Sequence, residues 1–180
     1  MTDHSRIEGD GFILRQFEDE DAEAIAEIEF DSEVKRFLAL PTRPRSEWIR
    51  EVKNLGIRGW VIQMPDGRIA GNAALDRAQK GVGELRVVIG KPFWGSGLGR
   101  KVAGRIVQVA FEQLSAKAIV AVVHPKNKAS LRLVRSLGFR RRGLAKAPCP
   151  EWQVGHYIYR LPRNVYNQQV NRTRQKQRAG

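Results

Sequence analysis

The segment Gly95-Ser96-Gly97-Leu98-Gly99-Arg100-Lys101 decides the interpretation of this sequence. It follows a strand predicted over residues 83–89 and opens a helical pattern over residues 97–114. Glycines at alternate positions let the backbone approach a bulky anion, and the first N–H groups of a helix favour negative charge. Arg100 and Lys101 add positive charge there. The segment predicts a pyrophosphate-binding loop, with a flexible turn as the alternative.

Two better-known phosphate loops do not fit this segment. A Walker loop requires GxxxxGK[ST], which the chain lacks. A dinucleotide-binding fold requires GxGxxG and an acidic residue about 20 positions on, after another strand. Here the third glycine comes one position early, and the apolar run at 118–123 is followed by His124-Pro125 instead of a carboxylate.

Strands and helices are mixed on both sides of the loop. Apolar runs and period-two patterns predict strands at 12–17, 59–63, 68–76, 83–89, 118–123, 139–144 and 153–161, with a hairpin turn at Pro65-Asp66-Gly67. Helical spacing predicts helices at 19–30, 46–55 (with Ser46 as N-cap), 97–114 and 129–137, the last ended by Gly138. This mixture predicts an α/β (α+β) fold.

Length and composition limit the class of protein. The chain has 180 residues, 42% hydrophobic and 28% charged, which suits one globular domain. The single Cys149 excludes an internal disulfide framework and a Cys-rich zinc site, and the scattered histidines predict no metal site. No secretory h-region or membrane-length apolar run is present, so we expect a cytoplasmic protein. Cys149 lies between two prolines in a candidate interface loop, and monomer and homodimer both stay open.

Charge is distributed unevenly along the chain. The net charge is +13, from 32 basic and 19 acidic residues. Residues 1–60 carry 14 acidic and 9 basic side chains, whereas residues 61–180 carry 5 acidic and 23 basic ones. Residues 163–180 are low in complexity, hold five basic and no acidic residues, and are predicted to be disordered in isolation. The predicted organisation is an extension at 1–10, a domain at 11–162 and a basic tail at 163–180.

Four segments carry a family resemblance. They are ELRVVI at 84–89, FWGSGLG at 93–99, NKASLRL at 127–133 and LGF at 137–139. Together they resemble the GNAT superfamily of N-acetyltransferases, and most of all its branch that acetylates ribosomal-protein N-termini (the Rim-type branch). The resemblance spans about residues 11–161. It implies a mixed, mostly antiparallel sheet that is splayed at the acetyl-CoA site and flanked by helices.

The resemblance also implies which residues bind acetyl-CoA, the donor of the acetyl group. The loop with Trp94 and Gly95 would hold the pyrophosphate through the backbone N–H groups of Gly97, Leu98, Gly99, Arg100 and Lys101. The backbone of Val87, Val88 and Ile89 would pair with the pantetheine amides like an added strand. One N–H of that strand would stabilise the thioester oxyanion. Asn127 would cap its helix and bind the cofactor arm, with a purely capping role as the alternative.

The resemblance implies catalytic roles for two side chains. Glu84 matches a glutamate that removes the proton of the attacking amine, directly or through water. Arg86 stands where the family has a small residue, and it shares a strand face with Glu84, so we expect it to weaken that base, pair with it, or bind an anionic acceptor group. Ser130 would protonate the leaving thiolate. Tyr157 and Tyr159 are alternative acids, although core packing is the stronger expectation for both.

Two functions compete at this stage. The first is an acetyl-CoA-dependent N-acetyltransferase acting on a primary amine: a protein N-terminus, an RNA-associated acceptor such as aminoacyl-tRNA, or a small amine. The second is an RNA-binding module on a non-catalytic acyltransferase scaffold, indicated by Arg140-Arg141-Arg142 and the basic tail. RNA or ribosome association is compatible with both.

Overall fold

The strands of this protein build one mixed sheet. A computed structural model describes residues 5–38, 44–55, 59–78, 81–146 and 154–179. The strands follow the order β1-β2-β3-β4-β5-β6-β8-β7. Along the chain the elements are β1 (Arg6–Gly9), β2 (Phe12–Arg15), α1 (Asp21–Phe30), α2 (Ser32–Lys35), α3 (Arg45–Leu55), β3 (Trp60–Gln63), β4 (Ile69–Ala78), β5 (Val82–Ile89), α4 (Leu98–Glu112), β6 (Ala118–Val123), α5 (Lys128–Ser136), β7 (Arg140–Leu144), β8 (Tyr157–Pro162) and α6 (Arg163–Ala179). The predicted α/β class is confirmed.

One compact unit comprises residues 1–76 and 85–106. Its strands β1, β2, β3 and β4 pair antiparallel in that order. The helices α1 and α3 contribute Ile25, Ala26, Trp48 and Val52 to a core cluster with Val61 of β3. The apolar spacing that predicted these two helices therefore reflects their buried faces.

The N-terminal segment differs from its prediction as an extension. Arg6–Gly9 forms β1, and Gly9 pairs with Phe12 across a two-residue turn, Asp10-Gly11. Gly11 has φ +78°, which favours glycine. The four-residue strand β1 has one buried apolar side chain, Ile7, and was too short for the sequence pattern to reveal.

The other compact unit comprises residues 77–84 and 107–180. Here β6 and β7 each pair antiparallel with β8, and β6 pairs in parallel with the start of β5. The all-apolar β6 contains the buried residues Ile119, Ala121 and Val123, as its composition predicted. The ladder between β5 and β6 has three residue pairs, Val82 with Ala118, Gly83 with Ile119 and Glu84 with Val120. Residues 85–89 continue β5 outside that ladder.

The structure of the C-terminal tail contradicts a second prediction. Arg163–Ala179 forms the helix α6 instead of a disordered segment. Gln, Arg and Lys are good helix formers, and the ring of Tyr166 stacks on Phe111 with centroids 4.7 Å apart. The low complexity of the tail concealed both this helical propensity and its aromatic anchor.

Other predicted elements lie within a few residues of their observed bounds. The hairpin turn is confirmed by a 2.9 Å bond from the Gly67 N–H to the Met64 carbonyl. The helix α3 begins at Arg45, so Ser46 lies inside its first turn and is not its N-cap. The candidate interface loop at Cys149 lies outside the described residues. Among the described helices, none combines the length and apolar character that a membrane crossing requires.

Candidate functional site

The C-terminal half of β5 presents backbone groups away from β4. A Cβ added at Gly71 of β4 would overlap the carbonyl oxygen of Val88, so that oxygen faces β4. Successive residues of a strand aim their backbone groups in opposite directions. The N–H and C=O of Val87 therefore point away from β4, in the part of β5 that lies outside the β6 ladder. Such a strand edge can pair with an extended ligand.

The chain leaves β5 through a tight connection that fixes Trp94. The Gly90 N–H donates to the Ala70 carbonyl at 2.8 Å, and a single 3-10 turn, Lys91–Phe93, follows. The indole Nε1–H of Trp94 then donates to the carbonyl of Ile89 at 2.7 Å. This bond uses the outward carbonyl of Ile89 and leaves the indole 43% exposed.

The glycine loop, residues 95–99, has left-handed backbone conformations at two of its glycines. Gly95 and Gly97 have φ of +78° and +80°, and a Cβ added at either residue would meet no atom within 4 Å. The conformation therefore requires glycine, and the space above the loop is open. The Ser96 hydroxyl donates to the Phe93 carbonyl at 2.7 Å and accepts the Leu98 N–H at 3.3 Å. Ser96 thus stabilises the loop conformation through two internal hydrogen bonds.

The structure narrows the set of N–H groups available to an anion. The N–H groups of Arg100 and Lys101 both donate to the Gly97 carbonyl, at 3.0 and 3.2 Å. The Leu98 N–H is bound to Ser96. Of the five N–H groups predicted to hold the anion, those of Gly97 and Gly99 are used by no hydrogen bond within the described part of the chain. They lie at the positive end of the 15-residue helix α4, where an anion is favoured.

The two cations beside the loop differ in their surroundings. Arg100 is exposed. The Lys101 Nζ lies 2.7 Å from the Asp10 carboxylate in the β1–β2 turn. The hydrogen bond from Lys101 and its charge lower the pKa of Asp10. The charge of Lys101 is therefore partly neutralised by Asp10, whereas the charge of Arg100 faces solvent.

Glu84 and Arg86 stand at the point where the β5–β6 ladder ends. Glu84 is half-buried and forms the last pair of the ladder. The guanidinium of Arg86 pairs with the Asp76 carboxylate of β4 at 2.7 Å. The sequence predicted an Arg86 that pairs with Glu84 or binds an acceptor anion; the ion pair described for it is with Asp76. Because Asp76 compensates its charge, Arg86 has less power to weaken a neighbouring base.

Asn127 occupies the N-cap of α5. Its Oδ1 accepts the Ser130 N–H at 3.0 Å, and its own N–H donates to the His124 carbonyl at 2.9 Å. The capping role is therefore present, while its predicted contact with the cofactor arm stays a prediction. Ser130 is half-buried in the first turn of α5.

The two candidate tyrosines of β8 have structural roles. Tyr159 is 1% exposed, and its hydroxyl accepts a 3.3 Å bond from the Nε of Arg135. The ring of Tyr157 lies 3.8 Å beneath the guanidinium of Arg141. Both agree with the expectation of packing.

A family model described as an acetyltransferase (GNAT) domain matches residues 12–140. The chain belongs to this family. This GNAT protein is an acetyl-CoA-dependent N-acetyltransferase, and acetyl-CoA is its co-substrate. The resemblance found in the glycine loop and the N-x-x-S segment is thereby confirmed.

Named relatives of this acetyltransferase share most of its length. The uncharacterized N-acetyltransferase YoaA of Bacillus subtilis is 30% identical over 78% of this chain and 85% of its own. A GNAT-family acetyltransferase from Bacillus anthracis superposes with a TM-score of 0.77 at 21% identity, over 88% of this chain and 99% of that one.

Two further solved structures share the fold at low identity. A putative ribosomal-protein-serine acetyltransferase from Vibrio cholerae has a TM-score of 0.74 at 16% identity, over 90% of this chain and 99% of that one. A spermidine N-acetyltransferase from the same organism, in complex with CoA and spermine, has a TM-score of 0.72 at 18% identity, over 87% and 98%.

Sequence reasoning missed two residues that shape the site, Gly71 beside β5 and Ser96 within the glycine loop. Gly71 lets β4 approach the Val88 carbonyl, and a glycine inside a strand pattern is a known signal of such close approach. Ser96 bridges the loop, but a serine between glycines looks like an ordinary turn residue.

Proposed function

We propose that this acetyltransferase acetylates the α-amino group of a protein N-terminus. The observation that supports the donor side of the proposal is the continuity of β5 with the glycine loop, and the choice of acceptor rests on proton affinity. The Val87 backbone points outward in the part of β5 beyond the β6 ladder, and the N–H groups of Gly97 and Gly99 follow within twelve residues. This arrangement suits a donor with an amide-bearing arm and a pyrophosphate.

The proposed donor contacts follow from that continuity. The pantetheine arm lies along Val87, Val88 and Ile89 as an added strand, and the Val87 carbonyl accepts one of its amide N–H groups. The pyrophosphate lies at the α4 N-terminus. Arg100 supplies positive charge there, because Lys101 is paired with Asp10 and none of the described ion pairs involves Arg100. Trp94 and Gly95 shape the wall of the loop, and Asn127 meets the cofactor arm.

The proposed chemistry is a direct transfer. Glu84 accepts a proton from the acceptor ammonium, directly or through water, and the amine nitrogen attacks the thioester carbonyl carbon. The Val87 N–H stabilises the oxyanion of the tetrahedral intermediate. The carbon–sulfur bond then breaks and Ser130 supplies a proton to the departing thiolate. The nitrogen loses its second proton as the amide forms, and that proton restores the Ser130 hydroxyl.

Proton affinity favours an α-amino acceptor over a side-chain amine. An α-amino group has a pKa of about 7.7–8.0, whereas an alkylamine has one of about 10.4. The pKa of a protein N-terminus therefore lies about 2.5 units below that of an alkylamine, so a carboxylate base removes its proton more easily. The acidic N-terminal third of the chain suits a cationic amine.

An acceptor panel tests this choice. Thiol release from acetyl-CoA is followed with a Ser-initiated hexapeptide, the same peptide blocked at its N-terminus but holding an internal Lys, and spermidine. We expect the free peptide to react fastest, with a rate that levels off above about pH 8 as its amine deprotonates. Faster reaction of spermidine or of the internal Lys would overturn the acceptor assignment, although the acetyltransferase activity would stand.

Substitution at Glu84 tests the base. Glu84→Gln should lower kcat by about 100-fold or more, the usual scale of general-base catalysis, and leave the KM for acetyl-CoA within about threefold. Glu47→Gln, on the exposed face of α3, is the matched control and should behave like the wild type. Ser130→Ala should lower kcat more modestly. An unchanged kcat in Glu84→Gln removes Glu84 from the mechanism.

A further inference from the structure

The helix α6 has a first half that is firmly anchored. Arg163 donates from Nε to the Ala116 carbonyl at 2.9 Å, and Tyr166 stacks on Phe111. The Tyr166 hydroxyl donates to the Glu112 carboxylate at 2.8 Å. Burial and this hydrogen bond raise the pKa of Tyr166 to about 12, so the phenol stays a donor at neutral pH. These contacts hold the start of α6 against its own unit.

The second half of α6 has a different surface. Every residue from Asn171 to Arg178 is exposed. On a helix, residues four apart share a face, so Arg174 and Arg178 lie on one side and Arg172 and Lys176 on the other. The helix contains no acidic residue to compensate them. Four cations within seven positions repel one another, and a polyanion would relieve that repulsion.

The chemistry of this surface favours a nucleic acid over an acidic protein. Between the four cations stand Thr173, Gln175 and Gln177, which are polar side chains that hydrogen-bond phosphate and sugar oxygens. Protein interfaces are instead built around apolar or aromatic anchors, and residues 171–178 contain none. From Arg132 to Arg178 the chain has 12 basic residues and a single acidic one.

We propose that residues 171–178 of α6 dock on the sugar-phosphate backbone of RNA without reading its sequence. The anchored half of α6 gives the charged half a fixed helical frame, so binding does not have to order it. The exposed arginines of β7, Arg140, Arg141 and Arg142, lie in the same unit and can add contacts. RNA docking is separate from acetyl transfer and does not depend on the identity of the acceptor.

Salt dependence measures the docking directly. Binding of the protein, without acetyl-CoA, to a mixed-sequence single-stranded 20-mer RNA is followed by fluorescence anisotropy between about 50 and 200 mM salt. The α6 variant replaces Arg172, Arg174, Lys176 and Arg178 by Gln, which keeps helical propensity. A control of equal charge replaces the exposed Arg36, Arg50, Lys53 and Lys146 by Gln.

We expect the α6 variant to lose at least about tenfold in affinity at 50 mM salt. Its slope of log K against log salt should fall by about 2.8, at about 0.7 per lost phosphate contact. The control should lose much less, and thiol release with the hexapeptide should be unchanged in both variants. Equal losses in the two variants, absent binding at 50 mM salt, or tighter binding of poly-glutamate than of RNA would each overturn the proposal.

Discussion

The N-termini of α4 and α5 differ in how their first backbone N–H groups are hydrogen-bonded. Each helix follows a strand, and each start was predicted to contact acetyl-CoA. At α5 the chain supplies its own cap, because the Asn127 Oδ1 accepts the Ser130 N–H at 3.0 Å. At α4 the only side-chain acceptor described is Ser96, at 3.3 Å, and the N–H groups of Gly97 and Gly99 stay unused within the described part of the chain.

The difference separates two ways of building a helix N-terminus. A start capped by its own side chain is satisfied before any ligand arrives. A helix that starts with positive-φ glycines has no such side-chain cap, so its first N–H groups and the positive end of its dipole are available to an anion. We therefore assign the main cofactor affinity to the α4 start and the main stabilising role to the α5 start.

The largest expected effect is at Gly97. Gly97→Val should raise the KM for acetyl-CoA about tenfold or more, because a side chain would fill the open space over the loop. The left-handed backbone also costs about 1–2 kcal/mol of folding free energy. Gly67→Val, in a hairpin turn with φ +86° and equally open space, is the control for strain alone. Steady-state kinetics and thermal unfolding separate the two effects, and an equal KM in both variants would contradict the assignment.

A second, smaller effect is expected at Asn127. Asn127→Ala should cost about 1 kcal/mol of folding free energy through loss of the cap, or about 2–4 °C in Tm for a chain of this size. Asn127→Asp keeps the cap and should restore the Tm. A tenfold loss of acetyl-CoA affinity in both variants, measured by calorimetric titration, would mean that the α5 start supplies a major part of the cofactor affinity, and the contrast with α4 would fail.

A third effect concerns the charge at the α4 start. Asp10→Asn should release Lys101 and lower the KM for acetyl-CoA by about two- to fivefold at low ionic strength, the scale of an exposed ion pair. The gain should vanish at about 1 M salt, where the Debye length is about 3 Å. Measuring KM at both salt concentrations checks this. A gain that persists at high salt would mean that the Asp10 substitution acts through structure.

The smallest effect is a pH dependence confined to the α5 start. The Nδ1 of His124 accepts the Lys126 N–H at 3.1 Å, so it must be unprotonated. Burial, His156 and Lys126 lower the pKa of His124. The stabilisation is therefore complete above about pH 6.5, the ordinary pKa of histidine, and is lost as the pH falls towards the folded value. His124→Asn should have a flatter Tm profile between about pH 7.5 and 5. Parallel profiles would exclude His124 as the group responsible.

Local signals predicted most of the fold. Helical spacing, all-apolar β6 and the Pro65-Asp66-Gly67 turn each depend on neighbouring residues, and each matches an observed element. What the sequence concealed depends on distant partners. The helicity of α6 rests on Tyr166 meeting Phe111, 55 positions earlier along the chain.

The candidate site was also only partly predictable, because its local features were visible in the sequence and its side-chain and backbone pairings were not. The sequence predicted a glycine loop at the start of a helix, and the positive φ of Gly95 and Gly97 is a local property that glycine allows. The N–H groups of Arg100 and Lys101 are bound to the Gly97 carbonyl, and Arg86 pairs with Asp76 ten residues away. Neither pairing leaves a periodic signal, because each depends on the exact path of a turn or strand.

The β1–β2 hairpin has a consequence for the order of folding during synthesis. The Arg105 side chain of α4 donates to the Glu8 carbonyl, 97 positions away, and Lys101 binds Asp10. Ribosomes add about 5–20 residues per second, so the hairpin waits about 5–20 seconds for α4 to emerge. A lone two-stranded hairpin is marginal in water. Pairing with β3 extends the hairpin earlier, but the contacts of β1 and its turn with Arg105 and Lys101 form only after α4 has left the ribosome.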